Sequence, residues 1–202
     1  MKSAAKSSAR KAEPGADDRV DPSEQICEGW LHRINISDGG VPKLPVAEAM
    51  ITSDGVTGDR QRNRTVHGGA DRAVCLFSLE RIEALRQEGH VIYPGASGEN
   101  LTLAGLDWDA VGPGDRLRIG ETVELELTSY TTPCRYNARW FFGGNYGRIS
   151  HKRHPGWSRL YAKVLREGLI RQGDRVAPVE QAKVKAEAER DDSGSAAVHR
   201  ES

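Results

Sequence analysis

The stretch ETVELELTSYTTPC, residues 121–134, sets the fold class of this chain. Its first half places apolar side chains at every second position, at Val123, Leu125 and Leu127. Because strand side chains alternate between two faces, this pattern predicts a strand with one buried face. The strand ends at Tyr130, and the fixed φ of Pro133 then makes a rigid turn directly before Cys134. The stretch therefore predicts β-structure and a cysteine just beyond the end of a strand.

Other short strands are predicted on both sides of this one. They cover residues 26–36, 74–77, 116–119, 160–165 and 175–179. Gly-Asp-Arg at 114–116 and at 173–175 predicts a turn that feeds a strand. One amphipathic helix is predicted between the N-cap Ser78 and the C-cap Gly89, and a second, short helix over 136–142. With 22 glycines and nine prolines, these elements indicate a mostly β, barrel-like fold with a few short helices.

Both ends of the chain lack apolar residues that a core could bury. Residues 1–25 contain one large apolar residue after Met1, and residues 181–202 favour helix locally without an apolar stripe. We therefore expect a disordered tail over 1–25, one folded domain over 26–180, and a frayed or disordered tail over 181–202. A domain of about 155 residues can fold without a disulfide or a metal.

Charge and composition exclude several classes of protein. The 29 basic residues are balanced by 29 acidic ones, whereas a general nucleic-acid binder carries a basic excess, so no nucleic-acid partner is expected. No run of about 18 apolar residues exists, so no membrane partner is expected. The N-terminus lacks the apolar core of a signal peptide, and three widely spaced cysteines make no disulfide framework. We expect a reduced, cytoplasmic protein.

The first candidate site is the loop that contains His67, Gly68, Gly69 and Arg72. Adjacent glycines expose backbone N–H groups, and such a nest suits a phosphate or another anion. A plain structural loop is the alternative interpretation. The basic loop at 151–154, His-Lys-Arg-His, is open to the same two interpretations, as an anion site or as a solvated loop.

The second candidate site is the loop over 93–102, which contains Gly98, Glu99 and Asn100. The asparagine amide can donate and accept at once, which suits the edge of a heterocycle. An Asx-type turn that enters a strand is the alternative.

The third candidate is Cys134. A helix start and the neighbouring Arg135 would both favour its thiolate form, and a thiolate is the reactive and metal-binding form of cysteine. A structural role is the alternative. Cys75 is predicted to be a small buried hydrophobe and Cys27 to be inert.

Together and in this order, these segments resemble the MOSC family, the domain found at the C-terminus of molybdenum cofactor sulfurases. The resemblance is carried by Gly-x-x-Gly-Asp at 55–59, His-Gly-Gly-x-x-x-Ala at 67–73, Pro-Gly-Ala-Ser-Gly-Glu-Asn-Leu-Thr at 94–102, Gly-Asp with Ile-Gly at 114–120, Pro133-Cys134, and the closing segments at 156–157, 164–168 and 173–174. It spans nearly all of the predicted domain.

The resemblance implies a barrel-like domain that holds the pyranopterin molybdenum cofactor. Cys134 would be the metal ligand in reductase members and the sulfur carrier in others, and a soft thiolate suits both kinds of chemistry. The implied cofactor-binding residues are His67, Gly68, Gly69, Arg72, Gly98, Glu99, Asn100 and Arg135. The residues that follow Cys134, Arg-Tyr-Asn, depart from the pairs that many members carry there. The resemblance therefore does not define the wall that would face a substrate.

Three functions follow from this resemblance. The first is a molybdenum-dependent reductase of N-hydroxylated small molecules, which would need an external electron donor because three cysteines cannot supply the four thiolates of a plant-type iron–sulfur cluster. The second is a sulfur-carrier or cofactor-handling protein, with a persulfide on Cys134 and a sulfur donor protein as its partner. The third is a non-catalytic β-barrel. Pyridoxal phosphate binding is not expected, since the chain has no room for a desulfurase domain.

Overall fold

The computed structural model describes residues 28–60 and 69–179. Both predicted tails, the domain boundaries drawn at 25/26 and 180/181, Cys27, His67 and Gly68 lie outside the described residues, so these predictions stay predictions. No helix within the described ranges is both long and apolar enough to cross a membrane.

The described part of the chain is built mainly from strands, eleven in all. They are β1 Gly29–Ile36, β2 Leu44–Val46, β3 Glu48–Thr52, β4 Gly55–Val56, β5 Val74–Ser78, β6 Leu101–Ala104, β7 Arg116–Ile119, β8 Val123–Tyr130, β9 Leu160–Arg166, β10 Gly168–Arg171 and β11 Arg175–Pro178. The α-helix described among them is α1, Leu79–Gln87. Short 3-10 helices cover Ala70–Arg72, Arg135–Trp140, Phe142–Gly144 and Tyr146–Ile149.

Seven of these strands close into a barrel. Hydrogen bonds run in the order β11-β7-β8-β9-β5-β6-β1, and pairing of β1 with β11 closes the ring. Strand β2 extends the sheet beyond β1, while β10, β3 and β4 form a separate three-stranded sheet. The predicted mostly β, barrel-like fold is confirmed.

The barrel core follows the alternation read from the sequence. In β8, Val123, Leu125 and Leu127 are fully buried while the glutamates between them are partly exposed. The cross-strand pair Val74 and Ala162 is also fully buried. Residues next to this pair, such as Cys75 and Tyr161, therefore face the outside of the barrel.

Strands β5 and β6 pair in parallel, so the chain between them must cross over, and α1 is part of that crossover. The helix begins as predicted, because the Ser78 hydroxyl accepts from the Arg81 N–H at 3.1 Å. It ends before Gly89, whose φ is 91°, and it buries Ile82 and Leu85. The second candidate loop, residues 93–102, lies in the segment after α1 and runs into β6.

Two local predictions can be compared with the structure. The short helix expected over 136–142 is two 3-10 helices, Arg135–Trp140 and Phe142–Gly144, because Phe141 is extended and interrupts them. The Gly-Asp-Arg segments are turns as predicted: Asp115 accepts from the Gly112 N–H and Asp174 from the Arg171 N–H, both at 2.8 Å.

Candidate functional site

A cavity of about 460 Å³ lies over the outer face of β5 and β9. Cys75 and Tyr161, which are cross-strand partners, form part of its wall. The segment 39–43, the loop before β6, and the 3-10 helix Arg135–Trp140 supply further wall residues. The volume is within the range of small-molecule and cofactor sites.

The described lining of this cavity is strongly basic. Five of its side chains carry a positive charge and none is a carboxylate: Lys43, Arg60, Arg72, Arg139 and Arg159. Lys43 forms a buried ion pair with Asp59, which stands behind the wall, and Arg60 forms an exposed pair with Asp38. A cavity with this charge suits an anionic ligand.

Cys134 lines the cavity and is half-buried. Its backbone is extended, at φ −110° and ψ 163°, and it stands directly before the 3-10 helix, where its carbonyl accepts from the Asn137 N–H at 3.0 Å. The rigid turn at Pro133 delivers the thiol to a polar cavity that Asn100 also lines. Whether the thiol carries a metal or sulfur stays a prediction.

The loop before β6 is held together by the side chain of Glu99, which is fully buried. Its two carboxylate oxygens accept from the Gly95 N–H at 2.5 Å and from the Ser97 hydroxyl at 2.7 Å. Glu99 therefore shapes the loop from inside and is not among the residues that line the cavity. Gly98, with φ 96°, does line it.

Asn100 links this loop to β5 and to Asp59. Its side-chain oxygen accepts from the Cys75 N–H at 3.1 Å, and its NH₂ group donates to Asp59 at 2.9 Å. The amide that was expected to meet a heterocycle thus already has protein partners on both sides. Its contact with a ligand stays a prediction.

The first candidate loop is described from Gly69 onward. Gly69 is exposed with φ 98°, and its carbonyl accepts from the Arg72 N–H at 2.9 Å. Arg72 lines the cavity, and its guanidinium carbon lies 5.6 Å from the centroid of the Tyr161 ring. Arg72 is therefore one of the basic groups that an anion in the cavity could meet.

Arg135 is exposed and lies over the Tyr136 ring, at 5.6 Å, without lining the cavity. Arg139, on the same short helix, does line it and donates to the Val41 carbonyl at 3.4 Å.

No residue of the basic loop at 151–154 is among the lining residues, and His151 stacks on Tyr130 at 3.5 Å. The solvated-loop interpretation fits that segment better.

Sequence reasoning missed several residues of the cavity wall: Lys43, Cys75, Arg139, Arg159 and Tyr161. Cys75 is buried as predicted, and burial raises the pKa of its thiol to about 11, although Arg159 acts in the opposite direction. Burial likewise raises the pKa of Tyr161 to about 12. One signal was available, because strand alternation turns Cys75 away from the core that Val74 and Leu76 enter.

Among the described residues, no three His, Cys, Asp or Glu side chains cluster as metal ligands would. The lining residues carry thiols, phenols, hydroxyls, one amide and basic side chains. This set suits an organic ligand that carries an anionic group and that could bring a metal with it, rather than a bare metal ion.

The chain belongs to the MOSC domain family, whose family model matches residues 63–177. This match includes Arg72, the loop before β6, Cys134 and Arg159. The described parts of these segments meet at the cavity.

Three named relatives match parts of this chain. The chain is 32% identical over 136 residues to the uncharacterized protein YflK of Bacillus subtilis, covering 66% of this chain and 60% of YflK. It is 33% identical over 107 residues to the protein YiiM of Escherichia coli, covering 50% and 47%. The matched region thus spans only about half the length of these relatives. A protein of Gibberella moniliformis named "Reductase" is 29% identical over 134 residues, which is 64% of this chain and 23% of that protein.

Solved structures share the fold. The YuaD protein of Bacillus subtilis matches with a TM-score of 0.60 at 16% identity, over 78% of this chain and 99% of that one. YiiM of Escherichia coli matches with a TM-score of 0.58 at 22% identity, over 76% and 71%.

Proposed function

We propose that this chain binds the pyranopterin molybdenum cofactor and acts as a molybdenum-dependent reductase of N-hydroxylated small molecules, with Cys134 as the metal ligand. The observation that carries the proposal is that one cavity of about 460 Å³ holds a cysteine thiol together with five basic side chains. Membership of the MOSC domain family supports the same cofactor.

The chemistry of the donor set fits this cofactor. A soft thiolate is a suitable ligand for molybdenum, and Cys134 is half-buried in the cavity wall. The cofactor's phosphate requires several N–H donors, which Arg72, Arg139 and Arg159 would provide. When bound, the cofactor would supply the electron chemistry, while the protein binds and orients the reactants.

Reduction of an N–OH group to N–H takes up two electrons and two protons and releases water. Tyr161 faces the cavity and is protonated at neutral pH, as an ordinary phenol is, and burial raises its pKa further, to about 12. Its Oη is therefore a group that can hold a proton next to a bound substrate. The electrons would come from an external donor protein.

The relative named "Reductase" gives further support. The matched region is 23% of that protein, so the region shared with this chain would be one part of a larger reductase. We therefore assign to this chain the cofactor- and substrate-binding part of the reaction and leave electron delivery to a partner.

The alternative is a sulfur-carrier or cofactor-handling protein, with Cys134 carrying a persulfide. The half-buried Cys134 thiol and the five basic side chains of the cavity support this alternative as well, because basic groups attract an anionic persulfide. A sulfur donor protein would then replace the electron donor as the partner.

The deciding experiment compares wild type with Cys134→Ser, both made in a host that synthesises the cofactor. Molybdenum, pterin and sulfane sulfur are measured after gel filtration. Roughly one molybdenum per chain, lost in Cys134→Ser, supports the reductase proposal. Labile sulfane sulfur without metal supports the carrier.

Cys75→Ser is the matched control, since Cys75 is the second thiol of the same cavity. It should keep its molybdenum, because Cys75 lies inside β5 and is buried, whereas Cys134 is only half-buried. Full molybdenum content in Cys134→Ser would refute a ligand role for Cys134. Absence of metal, pterin and sulfane sulfur in the wild type would support the third function, a non-catalytic β-barrel.

A further inference from the structure

The connection between β8 and β9, residues 131–159, is strongly basic. It contains five arginines, one lysine and no aspartate or glutamate, in a chain whose charges balance overall. Two of the arginines line the cavity, and Arg148 pairs with Glu88 at the end of α1. The other three basic side chains are exposed and form no ion pair with a described carboxylate: Arg135, Lys152 and Arg153.

This connection begins at the cavity. Cys134 and Tyr136 line the cavity, whereas Arg135 between them is exposed and does not. The 3-10 helix Arg135–Trp140 therefore has one side on the cavity and another side in solvent. A protein that docks on the solvent side would lie next to Cys134 without entering the cavity.

Just after this helix the connection presents an apolar side chain to solvent. Phe142 is 81% exposed, and Val91 beside it is 65% exposed. The two are held together through the backbone: the Val91 N–H donates to the Trp140 carbonyl at 3.0 Å, and the Phe142 N–H donates to His90 Nδ1 at 3.0 Å. Exposed apolar groups of this kind mark interaction surfaces, and phenylalanine is enriched in protein interfaces.

Arg153 lies close to the same segment. A Cβ at Gly147 would lie 2.6 Å from Arg153 Nη1 and 3.5 Å from Asn145 Oδ1, so the guanidinium lies over this glycine, near Asn145. The Asn145 N–H in turn donates to the Phe142 carbonyl at 3.3 Å. An unpaired positive charge therefore stands near the exposed phenylalanine on one side, while Arg135 starts the short helix on the other.

We propose that the exposed face formed by Val91, Arg135, Phe142 and Arg153, which we call the docking face, binds an acidic electron-donor protein. The inference rests on the proposed reductase function, in which an external donor supplies the two electrons that the N–OH reduction consumes. Charge complementarity selects an acidic partner, and Phe142 supplies an apolar anchor. A second copy of this chain does not fit, because two basic faces repel each other.

Nucleic acid is the other acidic macromolecule that a basic surface with exposed aromatic groups attracts. Two observations favour a protein instead. The docking face adjoins the helix that carries the cavity wall next to Cys134, and the chain as a whole has no basic excess. Binding to nucleic acid is therefore the competing outcome of the test.

The first experiment measures binding to the cofactor-free full chain by calorimetry. The probes are a plant-type ferredoxin and a flavodoxin, both small acidic electron carriers, with cytochrome c as a basic carrier and a single-stranded oligonucleotide as competitors. The wild type should bind at least one acidic carrier and should not bind cytochrome c. Its affinity for the acidic carrier should fall as sodium chloride is added, because salt screens exposed charges.

Two variants test the docking face itself. Arg153→Glu should bind the acidic carrier about tenfold more weakly, since attraction becomes repulsion, and Phe142→Ala at least about fivefold more weakly. Arg118→Glu on β7 and Met50→Ala on β3 are the matched controls, because both residues are exposed and lie outside the connection. Both controls should keep the wild-type affinity, and all four variants should keep the wild-type unfolding midpoint.

The second experiment uses cofactor-loaded protein and an aryl amidoxime as the N-hydroxylated substrate. Electrons come either from the carrier that binds or from reduced methyl viologen, a small molecule that needs no docking face. Phe142→Ala and Arg153→Glu should lower the carrier-driven rate at subsaturating carrier and leave the viologen-driven rate unchanged, because neither residue lines the cavity.

Three results would overturn the docking face: no binding of either acidic carrier, an equal loss of affinity in the two controls, or tighter binding of the oligonucleotide than of the carriers. Failure of the reductase function has a different signature. In that case the viologen-driven rate is absent from the wild type, while binding by the cofactor-free chain still decides the docking face.

Discussion

Cys75 and Tyr161 are cross-strand partners on β5 and β9, and both side chains face the cavity that Cys134 also lines. A thiol and a phenol therefore stand side by side on the outer face of the barrel, while the residues next to them in each strand fill its core. Both groups are neutral near pH 7, and burial raises the pKa of each further above that pH. The cavity thus combines fixed positive charge with proton-bearing neutral groups.

Cys134 should react with iodoacetamide faster than Cys75. With a pKa of about 11, only about one Cys75 thiol in a thousand is ionised at pH 8, and the thiolate is the nucleophile. Cys134 is half-buried and opens to the cavity. Peptide mass spectrometry of cofactor-free protein over a time course measures both rates, and equal labelling of the two cysteines would contradict the assignment.

Stability should fall in alkali because of Cys75. Its pKa is about 11 in the folded chain against an ordinary 9.0. The free energy of unfolding therefore keeps its full value below pH 9. It falls as the pH rises from 9 towards 11, because over this range the unfolded chain loses the thiol proton more readily than the folded chain does. Between about pH 8 and pH 10 the loss from this group is on the order of 1 kcal/mol. Urea unfolding at both pH values measures it, and Cys75→Ala should show a smaller fall. An identical fall in the variant would assign the effect to Tyr161 and other groups.

The buried pair of Lys43 and Asp59 should be far more important for stability than the exposed pair of Arg60 and Asp38. The side chains of Lys43 and Asp59 are 9% and 4% exposed, and Asp59→Asn would leave a buried ammonium without its counter-ion. We expect a loss of about 3–5 kcal/mol. Asp38→Asn, the control, should lose less than about 1 kcal/mol. Urea unfolding measures the loss of stability in both variants. Comparable losses would argue against a special contribution of the buried pair.

Arg72→Ala should weaken retention of the cofactor by about 1.5–3 kcal/mol, the contribution of one hydrogen bond to a charged group. Arg72 lines the cavity. Arg135→Ala is the companion variant, because Arg135 is exposed and lies over Tyr136 instead. Pterin content after dialysis measures retention in both. Weaker retention in Arg135→Ala alone would favour the cofactor-binding role that the family resemblance gave to that residue.

Much of the fold could be predicted because it depends on local patterns. The alternation in β8 and the capping residues of α1 each determine a strand or helix from a few neighbouring side chains. The closure of the barrel could not be predicted in this way, because the pairing of β1 with β11 joins residues from opposite ends of the domain.

The candidate site was predictable only in part. Cys134 was found because a proline and a strand end precede it. Arg159 carries no such local signal: its importance comes from burial next to Ser97, 62 positions away in the chain. Asn100 was found for its hydrogen-bonding groups, but those groups bind Cys75 and Asp59, a contact that only the folded chain reveals.

The closure of the barrel also brings its first and last strands together. Gly29 pairs with Val176, so the first residues of β1 lie beside β11. A few added residues could join positions 28 and 179, and the chain could be opened at another turn, giving a circular permutant with the same ring of strands. The turn at Gly114, outside the cavity lining, is a suitable place for the new ends.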